Sequence, residues 1–164
     1  MKKLSLILFS VIILFSFSNS LLFAEKKLIV GPAIVIDGDT IKIKGKKIRL
    51  SGIDAPELKQ ICKRKNGKPW RCGVSAKMHL EDLIYNKRPK PIVACEYDSL
   101  DRYGRILSEC GALSGIMVFT GSAVAYKRYA TDSLLNLEKI AKKEKKGLWS
   151  GTFEYPEDWR RKNK

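Results

Sequence analysis

Three β-like runs in tight succession, between Leu28 and Leu50, constrain what this chain can fold into more than any other feature. Leu28 to Ile36 is apolar and β-branched, with Pro32 early, which suits an edge or first-strand position. Asp37-Gly38 signals a turn. Thr40-Ile41-Lys42-Ile43-Lys44 then alternates strictly, Gly45-Lys46-Lys47 turns, and Ile48-Arg49-Leu50 starts a third strand. Connections this short predict an antiparallel meander.

The remainder supplies two more strands and the helices. Ala55-Pro56 ends the third strand, and the polar, basic stretch 58–73, which holds Cys62 and Cys72, reads as a loop that a disulfide would brace. Ala76, Leu80, Leu83 and Ile84 form a helical stripe that Pro89 and Pro91 stop. Ile92 to Glu96 and Arg105 to Cys110 read as the fourth and fifth strands, joined through Asp101–Gly104. Gly111 to Gly121 is mildly helical. Asp132 to Lys146 is amphipathic, with Leu134, Leu137 and Ile140/Ala141 in its stripe and Gly147 at the stop. Lysines 142, 143, 145 and 146 complement the dipole of its last turns. The aromatic tail, Trp149, Phe153, Tyr155 and Trp159, reads as a clamp on the core. The predicted class is α+β: a five-stranded antiparallel barrel of oligonucleotide-binding (OB) type, with about three helices.

Composition narrows the partner. A formal charge of +15 over 164 residues favours a polyanion; anionic lipid and cell wall are the rivals to nucleic acid. Lys2 and Lys3 precede an uncharged apolar run from Leu4 to Phe17, then small residues up to Ala24. That is the order of a secretory signal, and the run is short for a spanning helix. Residues 1–24 are therefore expected to be removed, with Ser20 the second choice of cleavage site and retention as a membrane anchor the alternative. Residues 25–164 then form one domain, and the loss of two lysines and no acid takes +15 to +13. An exported protein, periplasmic or secreted, is the expectation.

Cys62, Cys72, Cys95 and Cys110 fit disulfides in such a compartment. Three pairings are possible, of which Cys62–Cys72 with Cys95–Cys110 is the local one; Cys95 and Cys110 also sit nearly symmetrically about the Asp101–Gly104 turn. A four-cysteine zinc site lacks the usual short C-x-x-C pairs.

The chemistry concentrates in three charged clusters: Asp37-Gly38-Asp39-Thr40, Arg49 through Glu57, and Asp101-Arg102-Tyr103-Gly104-Arg105. Phosphodiester hydrolysis needs an activated water, neutralised equatorial oxygens and a stabilised leaving group. Asp39 and Asp54 end neighbouring strands, so one cavity can hold both, and carboxylates that close repel unless a cation lies between them. Glu57 follows a proline-fixed turn, placed to act as a general base. Arg49 lies in an otherwise core-like strand, so it must exit to solvent or meet an anion. With Arg105 it offers planar guanidinium groups that suit a phosphate. Singly, these residues read as a hairpin turn, a solvated loop glutamate and surface arginines.

In register, the three motifs resemble the thermonuclease (staphylococcal nuclease-like) family, with order and gaps matching from about Ile34 to Trp149. The ending from Gly147-Leu148-Trp149 to Trp159-Arg160 is similar to tails of its secreted bacterial members, and the cysteines resemble a disulfide-bearing subgroup. The resemblance implies a five-stranded barrel with three helices. It also implies calcium-dependent endonucleolytic cleavage of DNA and RNA that leaves 3′-phosphate ends. It carries Asp39, Asp54 and the Ala55 carbonyl over as calcium ligands, Glu57 as the residue usually assigned general base, and Arg49 and Arg105 as the phosphate-binding pair. Ala55 stands where the best-studied members have threonine; a carbonyl ligand is indifferent to that change.

Arg102 and Tyr103 are further candidates for substrate contact. Tyr126 and Tyr129, with basic neighbours, are placed either to stack bases or to pack under the final helix. A monomer with no obligate protein partner is expected. The rival reading is a non-catalytic nucleic-acid-binding barrel, for which charge and fold suffice.

Overall fold

Alternation along five strands closes a barrel in the computed structural model, which describes residues 26–86 and 92–163. The strands are β1 (Lys27–Val35), β2 (Thr40–Ile43), β3 (Lys46–Leu50), β7 (Ile92–Leu100) and β8 (Ile106–Glu109), in the order β1-β2-β3-β8-β7. The minor strands are β4 (Ile53–Asp54) with β9 (Val124–Ala125), and β5 (Cys62–Lys63) with β6 (Pro69–Trp70). The helices are α1 (Cys72–Tyr85), α2 (Leu113–Phe119), α3 (Asp132–Lys143) and α4 (Pro156–Lys162), with a 3-10 turn at Gly147–Ser150. The proposed leader and the Pro89/Pro91 helix stop lie outside the described residues. Among the described residues no helix is long and apolar enough to cross a membrane.

The α+β barrel is the one the alternation predicts, with one pair differing in direction. β3 and β8 run parallel, Ile48 beside Ile106, while the other four barrel pairs are antiparallel. Closure forces this: the chain leaves the meander at Leu50, builds α1, and returns through β7 to the open edge of β1. The β2–β3 turn falls at Lys44-Gly45 rather than Gly45-Lys47. Both residues have positive φ, 48° and 79°, the geometry a two-residue hairpin requires.

Ile41, Ile43, Ile48, Leu50, Ile53, Leu80, Met117 and Val118 are all but fully buried where the barrel meets α1 and α2. Each such side chain contributes about 1.5–3 kcal/mol relative to exposure. A second cluster gathers Cys62, Cys72, Val124 and Leu148 beneath Trp70, Trp149 and Phe153. Trp149 and Phe153 of the aromatic tail thus cover this cysteine-bearing cluster rather than the main barrel core, with Trp149 edge-on to Phe153 at 4.9 Å.

All four cysteines are paired, Cys62–Cys72 and Cys95–Cys110. The register explains the second bond: Glu96 sits opposite Glu109, so Cys95 is level with Cys110. The Cys62–Cys72 disulfide braces the stretch 58–73 as expected, and that stretch also carries the short β5–β6 ribbon. α3 stops at Lys143, three residues short of the expected Lys146, because Glu144 caps it and Lys145 takes a positive φ of 52°. α4 was not anticipated.

Candidate active site

Period two along β3 sends Ile48 and Leu50 into the barrel and turns Arg49 to its other face. The Arg49 side chain is only 11% exposed, so its guanidinium needs partners there. Nη2 donates to Asp54 Oδ1 at 3.0 Å and to the Ile53 carbonyl at 3.1 Å. Nη1 donates to the Asp39 carbonyl at 3.4 Å and pairs with the Asp39 carboxylate. Burial pushes this guanidinium down to about 10, assisted by the nearby charges of Arg105 and Arg160 and opposed by Asp54 and Asp37.

The β1–β2 turn presents Asp39. Asp37 Oδ1 accepts the Asp39 amide at 3.0 Å, an aspartate-led turn. Asp39 Oδ1 accepts from the Thr40 hydroxyl at 3.1 Å and Oδ2 from the Ala55 amide at 2.8 Å. Gly38 lets the turn press against the helix, since a Cβ there would lie 2.6 Å from the Ala55 Cβ and 2.8 Å from that of Ala76. Burial pushes the Asp37 carboxyl above the ordinary aspartate range, against a Thr40 hydrogen bond and the charges of Arg49 and Arg105.

Asp54 emerges from β4, which β9 holds by pairing Asp54 with Val124. Glu57 follows Pro56 and is gripped at its backbone: its amide donates to Gln60 Oε1 at 3.2 Å and its carbonyl accepts the Gln60 amide at 2.8 Å. Gly73, at the start of α1, is pressed onto the same carbonyl, where a Cβ would sit at 1.8 Å. The Glu57 carboxylate then meets a residue from the far end of the chain. Arg160 Nη1 donates to Glu57 Oε1 and to Asp54 Oδ1, both at 2.9 Å, and Nη2 donates to Asp54 Oδ2 at 3.0 Å.

Asp39, Arg49, Asp54 and Glu57 therefore form one connected cluster, with Arg160 as the member that sequence reasoning missed. A signal existed: Pro156 at a helix start, Glu157 and Asp158 in its first turn, and Arg160–Lys162 in its last. Half-burial opposes charge on Arg160, yet its bonds to Asp54 and Glu57 hold the guanidinium above its ordinary value.

Arg105 stands one step away. Its Nε donates to Asp101 Oδ2 at 2.7 Å, while its charge reaches Arg49 and Asp37. Arg102 and Tyr103 occupy the exposed tip of that loop; Tyr103 is 70% exposed, with the Arg102 and Arg105 guanidinium groups 4.9 and 5.6 Å from its ring centre. Tyr126 is half-buried near Asp54 and Glu157, and burial raises its hydroxyl above the usual tyrosine value. Tyr129 is exposed, 5.4 Å from Tyr126 between ring centres. It also lines a cavity of about 670 Å³ between α2 and α3 that none of Asp39, Asp54 and Glu57 borders.

Among the described residues no group of three or more His, Cys, Asp or Glu side chains converges as a metal cluster. The cluster does offer two buried carboxylates, Asp39 and Asp54, meeting on one guanidinium, with the Ala55 backbone beside them. Oxygen-only donors around a shared positive charge are the chemistry of a hard cation such as calcium or magnesium, so the donor set fits one.

The model of the family described as "Staphylococcal nuclease homologue" matches residues 47–151. The chain belongs to that family. An uncharacterized endonuclease of Escherichia coli is 36% identical over 156 residues, 88% of this chain and 91% of the relative. The succinoglycan biosynthesis protein ExoI of Rhizobium meliloti (strain 1021) is 33% identical over 132 residues, 77% of this chain and 68% of that protein. A probable staphylococcal-like nuclease, CAN3, of Oryza sativa subsp. japonica is 36% identical over 129 residues, 75% of this chain but 30% of the rice protein. The family match covers all but the first residue of β3, with Asp54, Glu57 and Arg105, and stops short of Asp39 at one end and Arg160 at the other.

Proposed function

We propose that the protein is a calcium-dependent endonuclease that hydrolyses DNA and RNA to leave 3′-phosphate ends. The observation that carries this reading is the joining of two buried aspartates and Glu57 into one cluster around guanidinium groups. Membership of a nuclease family and the names of the relatives support it.

Asp39, Asp54 and the Ala55 carbonyl would hold the cation, which supplies charge to polarise the phosphate and acidify water. Arg49 and Arg105 bind the phosphate's equatorial oxygens and stabilise the charge that grows on them in the transition state. Glu57 takes the proton of the attacking water. Tyr103, Arg102, Tyr126 and Tyr129 extend contact along the strand, the rings by stacking on bases. Residues 1–24 act as an export signal and 25–164 as the single catalytic domain, working as a monomer outside the cytoplasm. The two disulfides support that compartment.

Digestion of plasmid DNA and single-stranded RNA with calcium, and then with a chelator, tests the reading. Cleavage is expected with calcium and none with chelator, while binding persists. Binding without cleavage under both conditions would leave a non-catalytic nucleic-acid-binding barrel instead.

A further inference from the structure

Arg160 engages both oxygens of Asp54 and one of Glu57, and it comes from a short helix at the end of the chain. Asp54 Oδ1 also accepts from Arg49, so that oxygen has two donors and Oδ2 has one. A carboxylate oxygen has two lone pairs, which leaves Asp54 with one free acceptor direction for any further cation. Two guanidinium groups, Arg49 and Arg160, already bear on the Asp54 side chain, which is 2% exposed. A divalent ion brought to Asp54 would be repelled by both guanidinium groups in a setting where water screens poorly.

The two arginines are not equally able to yield. Arg49 sits within β3, is 11% exposed and is tied to two backbone carbonyls besides Asp39 and Asp54. Arg160 is 37% exposed and, among the described residues, its guanidinium hydrogen-bonds only to Asp54 and Glu57. Its helix hangs from a tail anchored elsewhere: Lys63 and Thr152 exchange two backbone hydrogen bonds at 2.9 Å, and Gln60 Nε2 donates to the Glu154 carbonyl at 2.7 Å. The side chain can therefore swing without undoing its tether.

We propose that Arg160 is an exchangeable counter-ion of the site's acids: it neutralises Asp54 and Glu57 in the free protein and releases Asp54 when calcium binds, keeping its hold on Glu57. This rests on the calcium reading above. Arg160 is a positioning residue under this proposal, because it acts on the acids rather than on the scissile phosphate. Its displacement makes the tail, the last segment of the chain, a determinant of calcium affinity.

Direct titration of calcium into nucleic-acid-free protein, followed by calorimetry, tests it with wild type, Arg160→Gln and Arg160→Lys. Removing a competing charge should tighten calcium binding at least about tenfold in Arg160→Gln, whereas Arg160→Lys, which keeps the charge, should stay within about threefold of wild type. A merely structural contact would behave in the opposite way, since its loss loosens Asp54 and weakens the ion. Unchanged or weaker binding in Arg160→Gln, with wild type binding normally, overturns the exchange and leaves the calcium reading intact. If no form binds calcium, the calcium reading falls and takes the exchange with it. Should Arg160→Gln fail to fold, nitrogen-15 spectra of the wild-type arginine side chains provide the readout. The Arg160 signal must move on calcium addition; a signal that stays fixed while calcium binds refutes the proposal.

Discussion

Glu57 and Arg105 sit in the site in different ways, and the difference sets what their replacement should do. Glu57 is held by its backbone to Gln60 and packed at Gly73, so Glu57→Gln keeps the turn while removing the carboxylate proposed as the base and its charge pairing with Arg160. Its turnover should fall by about two to four orders of magnitude, with an unchanged circular dichroism spectrum. Arg105→Ala removes a guanidinium whose charge reaches Arg49 and Asp37. A comparable loss of turnover is expected, and wild-type rates in either variant would overturn the assignment. Asp101 governs the same loop through pH. Its limited burial favours the neutral acid, but hydrogen bonds from the Arg105 backbone and side chain and from the Tyr103 amide hold its carboxyl below the usual range. A carboxylate depressed on folding stabilises the fold above its unfolded value of about 3.9 and loses that contribution as pH falls through the lower folded value. Urea midpoints measured from about pH 6 to pH 2 should therefore drop less steeply in Asp101→Asn than in wild type. Arg49 was legible at this scale because a charged residue inside a core-like strand demands an anion. Arg160 was not, because nothing local to it says that Asp54, 106 positions away, is its partner.

At the scale of elements, the Cys62–Cys72 ribbon and the tail support one another. Lys63 pairs with Thr152, Gln60 reaches the Glu154 carbonyl, and the disulfide packs beneath Trp149 and Phe153. Replacing both cysteines, Cys62→Ser with Cys72→Ser, should cost about 2–4 kcal/mol of unfolding free energy. It should also loosen the tail first, which Trp149 and Trp159 fluorescence would report at denaturant concentrations where the barrel remains folded. A single transition with wild-type midpoint would mean that the ribbon is not an anchor. The Cys95–Cys110 bond belongs to the barrel and was readable from strand symmetry. The ribbon inside 58–73 was not: β5 and β6 are two residues each, too short for any period to show. α4 escaped for a related reason, being seven residues with little apolar stripe, and only its charge order marks it.

For the whole molecule, the excess of basic residues, 32 against 17 acidic, should make affinity for nucleic acid strongly salt-dependent. The logarithm of the binding constant should fall linearly with the logarithm of salt, with a slope of about 0.9 per duplex phosphate neutralised. A flat profile would place the positive charge away from the strand. What the sequence by itself determined is what depends on neighbours along the chain: the period-two strands, the helical stripes, the turn at Asp37-Gly38, and the residue types that suit phosphate chemistry. The tertiary structure alone decided what depends on closure. The parallel β3–β8 seam follows from how the chain returns to the open edge, and the second grip on Asp54 and Glu57 follows from where the last helix docks. Alternation fixes the face on which a side chain emerges, because backbone geometry is local. Which distant charge it meets there is settled only when the core packs and the ends of the chain are brought together.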